Sequence, residues 1–271
     1  MEWMTNTKTV LGQATRMALF LLLLLGGLTG TAQEMIQPAG KFIAVDKDYR
    51  RVYQLHANGV AIAYKLVGSG EPLVMVMGLG GTMEDWTKDF INALSRRFQL
   101  ILIDNRGMGY STANDAKFSY RLFADDLVGF LDALGVEKAN LFGFAMGSAI
   151  TQEVLVDYPQ RVNKAVLCGP CLYGKEMLDS VAGVNFNDST VLRQVEAAKE
   201  WNTPLTVMPS VTDQVMVLVG GSDAEPEVDN SKAIATAIPG AWLIQFKKGR
   251  QPMTAQENTE FARVMATFFG N

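Results

Sequence analysis

At 271 residues, 48% of them hydrophobic, the chain can bury one sizeable core, and one folded domain is expected. Its 24 basic and 28 acidic residues are interspersed, with a formal charge of −4. No Lys/Arg cluster could neutralise a row of phosphates, so nucleic acid is excluded as an expected partner.

The chain opens with Lys8 and Arg16 ahead of the apolar run MALFLLLLLGGL, and GTA ending at Ala32 supplies small residues for cleavage. Residues 1–32 therefore read as a signal peptide. The mature chain is expected to start near Gln33 and to be exported, to a periplasmic or extracellular space. The alternative is an uncleaved membrane anchor, although an apolar run of about 12 residues is shorter than the roughly 20 a spanning helix needs. No membrane span is expected after the signal segment.

An N-terminal extension, 33–52, leads into VYQLH and VAIAYKLV, alternating or β-branched runs joined by ANG, which predict a hairpin. Continuous apolar runs follow that suit strands buried on both faces: PLVMVMG, FQLILID, KANLFGF, NKAVLCG and QVMVLVGG. Between them lie stretches of helical period. In YRLFADDLVGFLDALGV, Leu122, Leu127, Phe130, Leu131 and Leu134 form one apolar stripe. Strand and helix signals in alternation predict an α/β fold, a mostly parallel, doubly wound sheet covered by helices. The rhythm breaks over 172–212, where one helical stretch, VLRQVEAAKEW, and a Pro-containing link replace strands. That segment is expected to be a short lid insertion over the sheet's working edge, where open α/β folds bind ligands.

Five segments, in order, resemble the α/β-hydrolase superfamily, in particular its small esterase-like and carbon-carbon-bond-hydrolase-like members with a lid. They are GSGEPLVMVMGLGGT, DNRGMGYS from Asp104, LFGFAMGSAI, VLVGGSDAEPE and IPGAWLIQFKKGRQPM. The likeness covers nearly all of 53–269, and it implies an α/β-hydrolase domain over 53–271. It also implies roles. LFGFAMGSAI stands where the family carries G-x-S-x-G, a strained strand-to-helix turn presenting a serine nucleophile. Here Ala145 takes the serine's place, and a methyl group cannot form an acyl-enzyme. Ser148, about one helical turn further on, cannot substitute.

Aligning KKGRQPM with the family's histidine loop puts Arg250 at the base position, and a guanidinium stays protonated at ordinary pH. The only histidine, His56, lies in the hairpin and reads as an ordinary strand residue. Asp223 matches the acid position. The backbone amides of Leu79 and Met146 match the two oxyanion donors, which need no particular side chain. If the loops meet as in the family, Arg250 is expected beside Asp223 as an ion pair.

Both cysteines fall in CGPC, Cys168 and Cys171. In an exported protein the pair is expected to form a disulfide; the alternatives are a pair of thiols at a pocket rim and a redox-active pair of the thioredoxin kind. No metal is expected, because no zinc or calcium pattern occurs and the fourteen methionines suit core gaps. No cofactor is expected without a G-x-G-x-x-G or Walker-type loop. The resulting expectation is an exported protein of hydrolase fold and incomplete triad that binds a small apolar or carboxylate-bearing ligand, or a protein partner, without hydrolysing it. The alternatives are an esterase-like enzyme of atypical mechanism and a thiol oxidoreductase using the CGPC pair.

Overall fold

The structure, a computed structural model, describes residues 35–184, 186–212, 214–220, 225–246 and 258–270. The signal peptide expected over 1–32 lies outside the described residues. Among those described, no helix is long and apolar enough to cross a membrane.

Strands β2 (Arg51–Ala57) and β3 (Val60–Val67) pair antiparallel around Asn58 and Gly59. Their φ values of 45° and 77° are what a two-residue hairpin turn requires, and the predicted hairpin forms. Ahead of it, within the extension, β1 (Lys41–Val45) adds to the hairpin's outer edge. Its side chains are exposed or half-buried, so it carries little of the alternation that marks a strand. Just beyond it, Asp46 accepts from Lys65 Nζ at 2.7 Å, and Lys65 also meets Glu84 at 2.8 Å. Lys65 is buried, and two carboxylates compensate its charge.

The predicted apolar runs become β4 (Glu71–Val76), β5 (Phe98–Ile103), β6 (Ala139–Phe144), β7 (Val162–Cys168) and β8 (Gln214–Val219), with β9 (Trp242–Gln245) at the far edge. They form one sheet of order β1-β2-β3-β5-β4-β6-β7-β8-β9. Pairing is antiparallel from β1 through β5 and parallel from β5 through β9. Alternate residues of the parallel strands enter different cores. Val74, Val76, Ile101 and Leu167 pack with helices α2 (Tyr120–Leu134) and α3 (Met146–Asp157), while Met75, Leu102, Val166 and Met216 pack with α1 (Lys88–Leu94) and α7 (Asn258–Gly270). This two-sided burial is why these strands read as continuous apolar runs.

Helix α2 starts where Ser119 Oγ accepts the Leu122 amide and ends at Gly135, with φ 75°. Four of the five predicted stripe residues are buried. Leu122 is only partly so, and Tyr120 and Phe123 fill the first turn's contact instead.

Between β7 and β8 lie α4 (Gly174–Ser180), α5 (Ser189–Glu200) and a 3-10 turn, Leu205–Ser210, with a bridge from Tyr173 to Asn202. The sequence predicts only α5 here, because the seven residues of α4 are too few to show a period. The segment is tied at its root: Thr203 N–H donates to Leu172 O at 2.8 Å and Gly174 N–H to Trp201 O at 3.0 Å.

Candidate functional site

The sheet's strand order reverses between β4 and β6, since β5 lies on one side of β4 and β6 on the other. In open α/β sheets the crevice at such a point, beyond the carboxyl ends of the strands, is where ligands bind. Two loops meet there, the one after β4 carrying Leu79 and the turn after β6 carrying Ala145.

Ala145 alone connects β6 to α3, at φ 49° and ψ −111°. A side chain rarely adopts this conformation, which costs about 1–3 kcal/mol and persists only where the surroundings impose it. Here the flanking glycines impose it. A Cβ on Gly143 would stand 2.3 Å from Gly147 O, and one on Gly147 would stand 2.0 Å from Val76 O. The turn is therefore pressed onto β4 with no room for side chains, and the Ala145 amide is tied to Cys168 O at 2.9 Å. The strained turn therefore forms with alanine, which offers no nucleophile, at its centre.

The Met146 amide is the first of α3 and points out of the helix start, where no intrahelical acceptor exists. Neither it nor the Leu79 amide has a hydrogen-bond partner among the described residues. The next amide, Gly80 N–H, is taken: it donates to Gln194 Oε1 of α5 at 2.8 Å. The turn from Asp104 holds the Leu79 loop in place. Asp104 accepts from Met83 N–H at 2.7 Å and Tyr110 N–H at 2.8 Å, and Asn105 Nδ2 donates to Met77 O at 3.1 Å. Gly109 approaches so closely that a Cβ there would lie 2.2 Å from the Asp104 carboxylate. Arg106, buried below, pairs with Asp126 through Nε at 2.7 Å and again through Nη2. These positioning roles are not visible in spacing alone.

Leu79 and Ala145 line a cavity of roughly 310 Å3, whose wall also includes Phe144, Cys171, Met177 and Val181. The size is at the lower end of small-molecule sites. Its polar lining was not anticipated from the sequence: Asp85, Glu176 from α4, and Glu227 and Asn230 from α6 (Glu225–Ala237). Glu227 and Asn230 are three apart on one helix, a spacing that places both on one face. That was the available signal.

No disulfide joins Cys168 and Cys171, each a buried thiol. The expected bridge fails for a topological reason. Cys168, the last residue of β7, packs in the core beside α1 and α7, whereas Cys171, past the strand's end, packs in the opposite core and lines the cavity. Thiols packed into different cores are not placed to bond. Burial, with the charges of Glu176 and Glu227, pushes the Cys171 thiol up to about 12, so it is no thiolate at neutral pH.

His56 is exposed on β2, opposite Ala61, and three strands separate β2 from β6. It cannot serve Ala145's turn. Asp223 and Arg250 lie outside the described residues, and so does the ion pair expected between them.

The sheet order, the flanking helices and the strained turn beside a cavity define an α/β-hydrolase architecture. Residues 71–233, more than half of the 271, match the family described as alpha/beta hydrolase fold, and the chain belongs to it. A 2-hydroxymuconate semialdehyde hydrolase of Pseudomonas sp. (strain CF600) is 34% identical over 124 residues, 44% of each chain. The chain spans less than half the length of the curated relatives it matches. Among solved structures, the enol-lactonase from Burkholderia xenovorans superposes with a TM-score of 0.69 at 17% identity, over 80% of this chain and 100% of that one. An esterase from Rhodococcus sp. gives 0.70 at 21%, over 81% and 98%. These two likenesses are of fold.

Proposed function

We propose that this chain binds a small, largely apolar molecule without covalent chemistry, receiving a carbonyl oxygen at the amides of Leu79 and Met146. One observation carries the reading: the strained turn presents only the Ala145 methyl to the cavity, and the Leu79 amide in the same wall has no partner among the described residues. The names of similar proteins add support, since a semialdehyde, a lactone and an ester all contain a carbonyl. A carboxylate-bearing ligand fits less well, because Asp85, Glu176 and Glu227 would repel it and no Lys or Arg is among the described lining residues. The high proton affinity of Cys171 speaks against a thiol oxidoreductase.

The decisive experiment treats the purified chain with a serine-directed fluorophosphonate and with short p-nitrophenyl esters. Neither stoichiometric labelling nor ester turnover is expected, and labelling on any serine would overturn the reading. Export is part of the same proposal, resting on the segment through Ala32. Sequencing the amino terminus of secreted protein, with a start near Gln33 expected, tests it.

A further inference from the structure

The cavity wall is chemically lopsided. Its wall includes Leu79, whose amide has no partner among the described residues, whereas the side chains from α4 and α6 offer acceptors. Asn230 Nδ2 donates to Glu176 Oε2 at 2.8 Å. A carboxylate can only accept, so this bond orients the amide, with its nitrogen toward Glu176 and Oδ1 left as an acceptor. Asn230 is 8% exposed and lines the cavity, and its Oδ1 has no partner among the described residues. Glu176 keeps its second oxygen, Oε1, and Glu227 adds a second carboxylate to the same wall.

A buried amide acceptor between carboxylates is poorly matched by an apolar group, which would leave it dry and unpaired. Water would satisfy it only in part, and a carboxylate would be repelled. An ammonium brings three donors, no acceptor and the compensating charge. We propose that the molecule bound here is an amine-bearing carbonyl compound, such as an amino amide or amino ester, whose cationic end is received by Asn230 Oδ1 and Glu176. This rests on the carbonyl-binding reading above and adds the second functional group. The position of Cys171 agrees: both carboxylates act on its thiol, so their charge is felt inside the cavity rather than only at its rim.

Three compounds of matched length separate the possibilities: hexanamide, 6-aminohexanamide and the monoamide of adipic acid. All share the amide carbonyl and differ at the far end as neutral, cationic and anionic. Titration calorimetry and saturation-transfer NMR on the full chain should show 6-aminohexanamide binding about tenfold more tightly than hexanamide, or about 1.4 kcal/mol. The monoamide should bind most weakly of the three. The cation's advantage should shrink at high salt, and should fall at least about threefold in Glu176→Gln, which keeps an acceptor for Asn230. Asn230→Ser, which removes the amide acceptor, is the second variant should Glu176→Gln unfold. Equal binding of all three, or tightest binding of the monoamide, would overturn the amine inference and leave the carbonyl reading standing. No binding of any of the three to folded protein would overturn both.

Discussion

Replacing Ala145 by Gly isolates the energy stored in the turn. Glycine adopts φ 49° without a Cβ clash, so the change removes strain of about 1–3 kcal/mol. Against that stand glycine's greater freedom in the unfolded chain, about 0.5–1 kcal/mol, and the loss of one partly buried methyl, at most about 0.8 kcal/mol. The balance is a gain of about 1 kcal/mol, or a Tm higher by about 2–4 °C for a domain of this size. The same substitution four residues on has the opposite sign. Ala149 is fully buried inside α3, where Ala149→Gly loses helix propensity as well as a methyl, about 1 kcal/mol or more. Urea unfolding of both variants, with equal m-values, measures the pair. If Ala145→Gly destabilised the protein as much as Ala149→Gly, the turn would hold no strain, and the surroundings would not be imposing its shape.

Gly147→Ala should be among the most damaging single changes in the turn, because its Cβ would meet Val76 O at 2.0 Å and Met77 O at 3.0 Å, both backbone atoms that cannot step aside. A loss of about 3 kcal/mol or more is expected by urea unfolding, and near-native stability would contradict the close approach of turn and β4. Asp104 predicts a pH dependence: burial pushes its carboxyl up from 3.8 to about 6, despite the amides of Met83 and Tyr110. Over that window the folded state keeps a proton the unfolded chain has released, so this group's contribution to stability is full below about pH 4 and falls as pH rises to about 6, by about 3 kcal/mol. Stability measured across the window in wild type and Asp104→Asn should differ in slope by that amount, and parallel curves would refute the assignment.

What the sequence made legible is what local rules determine. The parallel strands announce themselves because both faces are buried, and the turn at Ala145 because only glycines fit on either side of it. The edge strand β1 stays hidden, since half-exposed side chains leave no period. The helix α4 stays hidden because seven residues are too few to show one. Glu176, Glu227 and Asn230 come from two helices some 50 residues apart, and only the packing of α4 and α6 around the cavity makes them one wall. The CGPC pair shows how a motif can mislead. Its spacing suggests a bridge, but Cys168 closes a strand whose alternation already sends Val166 and Cys168 to one face, so the partner beyond the strand's end could be placed only by the structure.

The turn also separates what a hydrolase scaffold does from what its nucleophile does. Nothing that sets the Ala145 conformation involves the side chain at that position: the constraints are the Val76 and Gly147 carbonyls against the flanking glycines, and the bond from the Ala145 amide to Cys168 O. A serine replaced by alanine there removes a reactive oxygen and leaves every one of these contacts in place. The helix after the turn still begins at Met146 with an amide that has no intrahelical acceptor, and backbone donors fixed by a rigid turn are already in position when a ligand arrives. Reactivity at such a turn therefore depends on single side chains, whereas the carbonyl binding proposed above depends on backbone geometry shared among three strands.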